Sequence, residues 1–255
     1  MPYARVNDID LYYETYGHDN QGEPLVLLHG FSGTGQAHWH LQIPVFAERY
    51  RVVVPDLRGH GKSKCRTVPP DYWELLASDI AALIGQLGLG QVHLCGFSLG
   101  SVVAQLVALD YPSLVTSLVL VSTAAHVPVE DQGLLAFFES LTRPDEIDAA
   151  WKESLIEMHG DPDWWWLLKN YGQMAMTQVR SRGGELTRHR LGEIACPTLI
   201  VQGQRDGMNP PELAEVVHQG IRGSEMVMFP CGHMVQKAEA KEFTRLVLGF
   251  LGKLS

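Results

Sequence analysis

A chain of 255 residues with a formal net charge of −9 has no basic run to neutralise a phosphate backbone, so a nucleic-acid partner is excluded. Its length suits one large α/β domain with an insertion, and its composition is ordinary for a globular protein. The amino terminus has no apolar signal core, and no run approaches the length of a membrane span, so a cytoplasmic protein with no membrane partner is expected.

Residues 3–16 alternate, with a break at Asn7-Asp8, and predict an antiparallel hairpin at a sheet edge. Pro24-Leu25-Val26-Leu27-Leu28 is a short continuous apolar run, as in a strand covered on both faces, and it empties into His29-Gly30-Phe31-Ser32-Gly33-Thr34-Gly35. Glycines there free backbone N–H groups to face a ligand, and Phe31 N–H is a candidate oxyanion donor; the alternative is a plain βα loop. A dinucleotide fingerprint is rejected because His38 stands where the third glycine should be. His38 and His40 flank Trp39, but residues two apart on a helix face different ways, so no metal site is expected there.

Arg51-Val52-Val53-Val54-Pro55 is another buried strand, followed by Asp56-Leu57-Arg58-Gly59-His60-Gly61-Lys62-Ser63. That ending is not a phosphate loop, because position 56 is Asp where the motif requires Gly. A glycine turn pinned by Asp56 and Arg58 is expected instead. Residues 72–88 have helical spacing, end at glycine and should cover one face of the sheet.

The next stretch organises the chain. Gly96-Phe97-Ser98-Leu99-Gly100 joins the apolar run 91–95 to the apolar run 101–109, which predicts strand, sharp turn and buried helix. Gly96 and Gly100 leave room for the turn, and Ser98 stands at a helix amino end, where negative charge is favoured. An acyl-transfer nucleophile requires that position; the alternative is a serine that only caps a Rossmann-like helix. A further strand follows at Leu118-Val119-Leu120-Val121, and strands alternating with helices imply a mostly parallel sheet.

From about Ala124 to Gly192 there is no buried-strand signal, only helical stretches holding four of the six tryptophans. This predicts a helical cap, residues 124–192, inserted in a core made of residues 1–123 and 193–255. Trp164-Trp165-Trp166 cannot all face one way on a helix, so packing within the cap competes with substrate contact for each. Pocket candidates are Phe97, His126, Phe138, Trp164, Trp165 and Met234, and the apolar cap suggests an apolar acyl or alcohol group. His29 and His60 read as hydrogen-bonded structural residues, with His126 at the cap junction the one to examine.

Strand rhythm returns at Pro197-Thr198-Leu199-Ile200-Val201, followed by Asp206, and again at Val227-Met228-Phe229-Pro230, which leads to Cys231-Gly232-His233. Residues 236–251 read as the closing helix. Cys65, Cys95, Cys196 and Cys231 have no C-x-x-C spacing and are expected to be free thiols.

Ser98, Asp206 and His233, each at a strand end, occur in the chain order of one hydrolase fold. Through these residues and His29-Gly30-Phe31, Asp56 to Ser63 and Gly203 to Asp206, the chain resembles the α/β-hydrolase superfamily, in its serine esterase and lactonase branch, over nearly its whole length. Ser101 departs from the pattern, since many relatives have a second glycine there. The resemblance implies an α/β-hydrolase fold with an inserted helical cap, Ser98 as nucleophile, His233 as base, Asp206 as orienter, and backbone N–H groups of Phe31 and Leu99 as the oxyanion hole. It implies no cofactor and no metal, a small ester or lactone as the partner, and nothing about oligomeric state.

A serine nucleophile argues against haloalkane and epoxide opening, which relatives perform with aspartate. Residues 231–236 also resemble the histidine loop of enzymes that hydrolyse carbon–carbon bonds, although those have Asn where this chain has Phe97. A cofactor-free perhydrolase or haloperoxidase, or a small-molecule receptor with slow turnover, would use the same fold.

Overall fold

The computed structural model describes residues 2–19, 21–67, 69 and 71–254. Its centre is a sheet of eight strands in the order β1-β2-β4-β3-β5-β6-β7-β8. The strands are β1 (Tyr3–Val6), β2 (Ile9–Tyr16), β3 (Pro24–Leu28), β4 (Arg51–Pro55), β5 (Val92–Phe97), β6 (Val115–Val121), β7 (Thr198–Gly203) and β8 (Glu225–Phe229). β1 pairs antiparallel with β2, and β2 with β4; every other pairing is parallel. The fold is that of an α/β hydrolase.

Parallel strands need crossovers, and the crossovers cover both faces. On one face lie α3 (Tyr72–Gln86), α4 (Leu99–Asp110) and α8 (Pro211–Gly220). On the other are α1 (Gly35–Trp39), α2 (Ile43–Phe46), α9 (Val235–Ala238) and α10 (Ala240–Leu251). The strands show why their sequences are apolar without alternation: Val26 and Leu28 of β3 enter the first core while Leu25 and Leu27 enter the second. Helix α4 is buried from Leu99 to Leu109, because it packs against the sheet and against both α3 and the turn of residues 188–193.

Two helices were not foreseen, α2 and α8. Helix α8 begins on Pro211, and its buried Leu213, Ala214 and Val217 form a narrow stripe. The closing helix is two helices: Glu239, at φ −123° and ψ 40°, leaves helical geometry. That break lets α9 lie under the His233 loop, where Gln236 carbonyl accepts Gln42 Nε2 at 2.7 Å.

Between β6 and β7 the chain forms α5 (Gln132–Ser140), α6 (Ala149–His159) and α7 (Asp163–Arg182). They close a small apolar cluster of their own around Phe138, Leu141, Leu155, Trp164 and Leu168. Among the described residues, no helix is long and apolar enough to cross a membrane.

Candidate active site

The turn at Ser98 is tight. Ser98 has φ 52° and ψ −117°, a conformation that a residue with a Cβ keeps only when its surroundings enforce it. Its N–H is held by Val121 carbonyl at 2.9 Å. A Cβ on Gly96 would collide with Gly100 carbonyl, and one on Gly100 with Leu28 carbonyl, so both glycines are required by strand–helix contact. Ser101 is accommodated by bonding: its Oγ lies 2.6 Å from Ser98 carbonyl and 2.8 Å from Thr123 Oγ1.

The carboxyl ends of β5, β7 and β8 bring Ser98, Asp206 and His233 together, as expected for a ligand face of a parallel sheet. His233 Nε2 lies 3.1 Å from Ser98 Oγ, and His233 Nδ1 lies 2.8 Å from Asp206 Oδ2. Asp206 Oδ1 accepts the N–H groups of Met208 and Asn209, both at 2.9 Å, and Oδ2 accepts Gln202 Nε2 at 3.0 Å. Burial would raise the Asp206 pKa, but the bond and charge of His233 and these N–H donors outweigh it and hold the carboxyl below its ordinary value of 3.8. An ionised, fully bonded carboxylate fixes the proton of a neutral imidazole on Nδ1 and leaves Nε2 to accept from the hydroxyl.

Three supporting residues escaped sequence reading. Ser122 Oγ donates to His233 carbonyl at 2.6 Å, and Asn209 Nδ2 donates to Ser122 carbonyl at 2.7 Å, which ties the histidine loop to the aspartate loop. Gln202 is the third. Its only sequence signal is a polar residue ending an otherwise apolar strand.

Gly30 packs directly on the Ser98 turn, since a Cβ there would meet Ser98 Cβ at 3.1 Å and the Phe97 ring at 2.8 Å. The loop bearing Phe31 therefore lies against the serine. Leu99 is the first residue of α4, so its N–H has no partner within the helix. Asp56 pins the neighbouring loops, accepting Gly35 N–H at 3.0 Å and Lys62 N–H at 3.0 Å, while Arg58 is locked by Asp79 at 2.6 Å. His29 is fully buried, and burial lowers its pKa; burial does the same to His60. His38 is buried with Nδ1 accepting Gly30 N–H at 3.1 Å, whereas His40 is exposed.

Ser98 and His233 open into a cavity of about 390 Å³. Phe31, Phe97, Leu99 and Val102 form its floor, and His126, Leu134, Phe137, Phe138, Trp151 and Tyr171 lie over it. Met208 and Met234, 44% and 45% exposed, mark its mouth. No Lys, Arg, Asp or Glu is among the described residues that line it.

Phe97, His126, Phe138 and Met234 thus line the cavity, but Trp164 and Trp165 do not. Trp164 is 5% exposed in the helical segment's own cluster, bonded through Nε1 to Asp161 at 3.2 Å and covered by Lys152; Trp165 packs on the same cluster. The residues of α7 that face the cavity are Tyr171 and Ala175. Trp164 lies two turns earlier, about 10 Å along the axis. Trp73 and Trp151 are the tryptophans at the cavity.

A family model described as "Alpha/beta hydrolase family" matches residues 25–246. The chain belongs to this family. It is 32% identical to a 2-hydroxy-6-oxononadienedioate/2-hydroxy-6-oxononatrienedioate hydrolase of Pseudomonas putida, over 96% of this chain and 92% of that one. It is 30% identical to the mouse serine hydrolase BPHL, over 96% of this chain and 84% of that protein. An esterase structure from Exiguobacterium antarcticum superposes with a TM-score of 0.78 at 29% identity, covering 98% of each chain. Two of these proteins are named as hydrolases and the third as an esterase.

Proposed function

We propose that this α/β hydrolase cleaves carboxylic esters or lactones of a small apolar substrate through an acyl-enzyme. The observation that carries the reading is the unbroken Ser98–His233–Asp206 hydrogen-bond chain opening into a cavity with no Lys, Arg, Asp or Glu among its described lining residues. His233 Nε2 takes the Ser98 proton as Oγ attacks the carbonyl, and Asp206 steadies the imidazolium. The Phe31 and Leu99 N–H groups hold the oxyanion, each such donor being worth about 3 kcal/mol in the transition state. The imidazolium returns its proton to the leaving alcohol; water, deprotonated by the same His233, then frees the acid and restores Ser98.

In this reading residues 124–192 act as a cap over the core of residues 1–123 and 193–255, and they supply the apolar roof. Carbon–carbon bond hydrolysis is the second reading, favoured by the Pseudomonas putida relative. The substrate in that relative's name is a dioate, with two carboxylates to neutralise, whereas this cavity has no Lys or Arg among its described lining residues. Neutral esters fit it better.

Stopped-flow hydrolysis of p-nitrophenyl esters from acetyl to octanoyl tests the proposal. A burst followed by steady turnover is expected, with kcat lowered on the order of 10⁶-fold in Ser98→Ala. Undiminished activity in Ser98→Ala would overturn it, and turnover of a vinylogous diketone but no ester would shift the assignment to carbon–carbon hydrolysis.

A further inference from the structure

The loop after β3 is gripped from the cap side at two points. The Phe31 ring stacks on Tyr171 of α7, with centroids 3.7 Å apart and planes inclined by 14°. One residue on, Ser32 has φ +60°, in the left-handed region that a residue with a Cβ occupies only under constraint. Its carbonyl lies 3.2 Å from Nε2 of His159, the last residue of α6. The direction of that bond is fixed by the other ring nitrogen. Gly61 N–H donates to His159 Nδ1 at 2.8 Å, so the proton of the neutral ring sits on Nε2 and points at Ser32. The ring is 1% exposed, which excludes water as a substitute for either bond, and Lys64 Nζ donates to the His159 carbonyl at the same seam.

The peptide on the other side of Phe31 is also oriented. Leu57 N–H donates to His29 Nε2 at 2.9 Å, so His29 Nδ1 carries the proton and donates to Gly30 carbonyl at 2.8 Å. A trans peptide points its N–H opposite to its carbonyl, so holding Gly30 carbonyl sets the direction of Phe31 N–H. A core histidine thus fixes one peptide of this turn and a cap histidine fixes the next but one.

We propose that His159 is a positioning residue for the oxyanion site: seated on Ser32 carbonyl, with Tyr171 stacked on Phe31, it lets the cap hold the turn that presents Phe31 N–H. The inference rests on the acyl-enzyme reading above. A cap moved off its seat leaves Ser98, His233 and Asp206 bonded as before and frees the far side of the turn, so that His29 alone holds the peptide of Phe31 N–H in place. The cap then contributes to the chemical step as well as to the pocket.

The test compares His159→Asn with His159→Gln, using p-nitrophenyl butyrate as substrate and butylboronic acid as a probe that forms a tetrahedral anion on a serine hydroxyl. Glutamine can still reach Ser32 carbonyl with an N–H donor, whereas asparagine is too short. For His159→Asn, kcat should fall about tenfold or more with KM unchanged, less than the 10² to 10³ of deleting a donor outright. Its boronate affinity should fall in parallel while affinity for 1-butanol, a neutral probe of the same apolar pocket, holds, and His159→Gln should lie closer to wild type. Equal losses in both variants, a loss confined to KM, or wild-type kcat in His159→Asn would overturn the inference and leave the acyl-enzyme reading standing. Absence of Ser98-dependent turnover in the wild type would remove that reading, and the inference with it. If His159→Asn does not fold, Tyr171→Leu carries the same test through the ratio of boronate to 1-butanol affinity, which an effect on pocket shape alone leaves unchanged.

Discussion

The sheet core and the helical segment above it are held by different forces. In the core, strands such as β3 and β5 are buried on both faces, and alternate side chains feed two large apolar clusters. The helical segment has one small cluster, and much of its seam with the core is polar: Arg182 to Glu74, Lys64 and Arg66 to Asp163, Thr187 to Gln105, His159 to Ser32. The proposed reacting groups Ser98, Asp206 and His233 sit on the first region. The residues over the cavity come largely from the second.

After Ser98→Ala, the largest expected effect breaks the core side of that comparison. Asp206→Asn keeps the shape of the carboxylate but, with an amide in place of one oxygen, disfavours the tautomer that accepts from Ser98; kcat should fall on the order of 10⁴-fold. Ester kinetics beside a melting curve check this. A loss of less than tenfold would mean that Asp206 does not set the His233 proton.

The next effect crosses both regions. Rings of His29, His38 and His60 from the core and His159 from the helical segment form a buried chain, with successive centroids 6.2 Å, 4.9 Å and 6.0 Å apart in the order His38, His29, His60, His159. Burial lowers each pKa, and for His159 to about 4. In the unfolded chain these groups take up protons below about pH 6.5, which the folded protein refuses. Stability is therefore full above that pH and declines as pH falls toward 4, with about 3 kcal/mol from His159 alone. Urea unfolding between pH 7 and 4 should show the decline, less steep in His159→Gln. A flat profile would show that the imidazoles charge freely in the folded state.

These regions also differed in how far sequence revealed them. Ser98, Asp206 and His233 were legible because each follows a strand whose apolar run is local and unmistakable, and the fold places strand ends together. Ser122, Asn209 and Gln202 were not, since a serine or amide that bonds a backbone carbonyl or a carboxylate carries no motif. Helix α8 is not among the elements expected from the sequence, although Pro211 and the Leu213, Ala214, Val217 stripe mark it, because a stripe of three apolar residues in one short helix is a weak periodic signal. In the helical segment, the presence of helices was readable but their rotation was not. Residue type makes Trp164 and Trp165 pocket candidates, while the side of α7 that meets the cavity is chosen by packing against α5 and the core.

A smaller effect should come from the roof. Phe137 of α5 lines the cavity and is half-buried, so Phe137→Ala enlarges the acyl site without touching Ser98, His233 or Asp206. The ratio of kcat/KM for octanoyl over acetyl esters should change by about tenfold, the scale on which hydrophobic pockets discriminate, with kcat for acetyl ester nearly constant. A uniform loss on all chain lengths would place Phe137 in the support of the reacting groups rather than in selectivity.

The smallest effect concerns the exposed part of the seam. Arg182 reaches from α7 to Glu74 of α3 at 2.5 Å, but both side chains are well exposed, 47% and 39%. Water and salt screen such a pair, and holding two long side chains in one geometry costs entropy, so Arg182→Ala should cost no more than about 1 kcal/mol. Its thermal midpoint and ester kinetics should match wild type in 0.5 M salt and differ only slightly at low salt. If instead Arg182→Ala lowered kcat at all salt concentrations, the seat of the helical segment would depend on its surface ion pairs. The buried contacts of His159 and Tyr171 would then be a consequence of that docking rather than its cause.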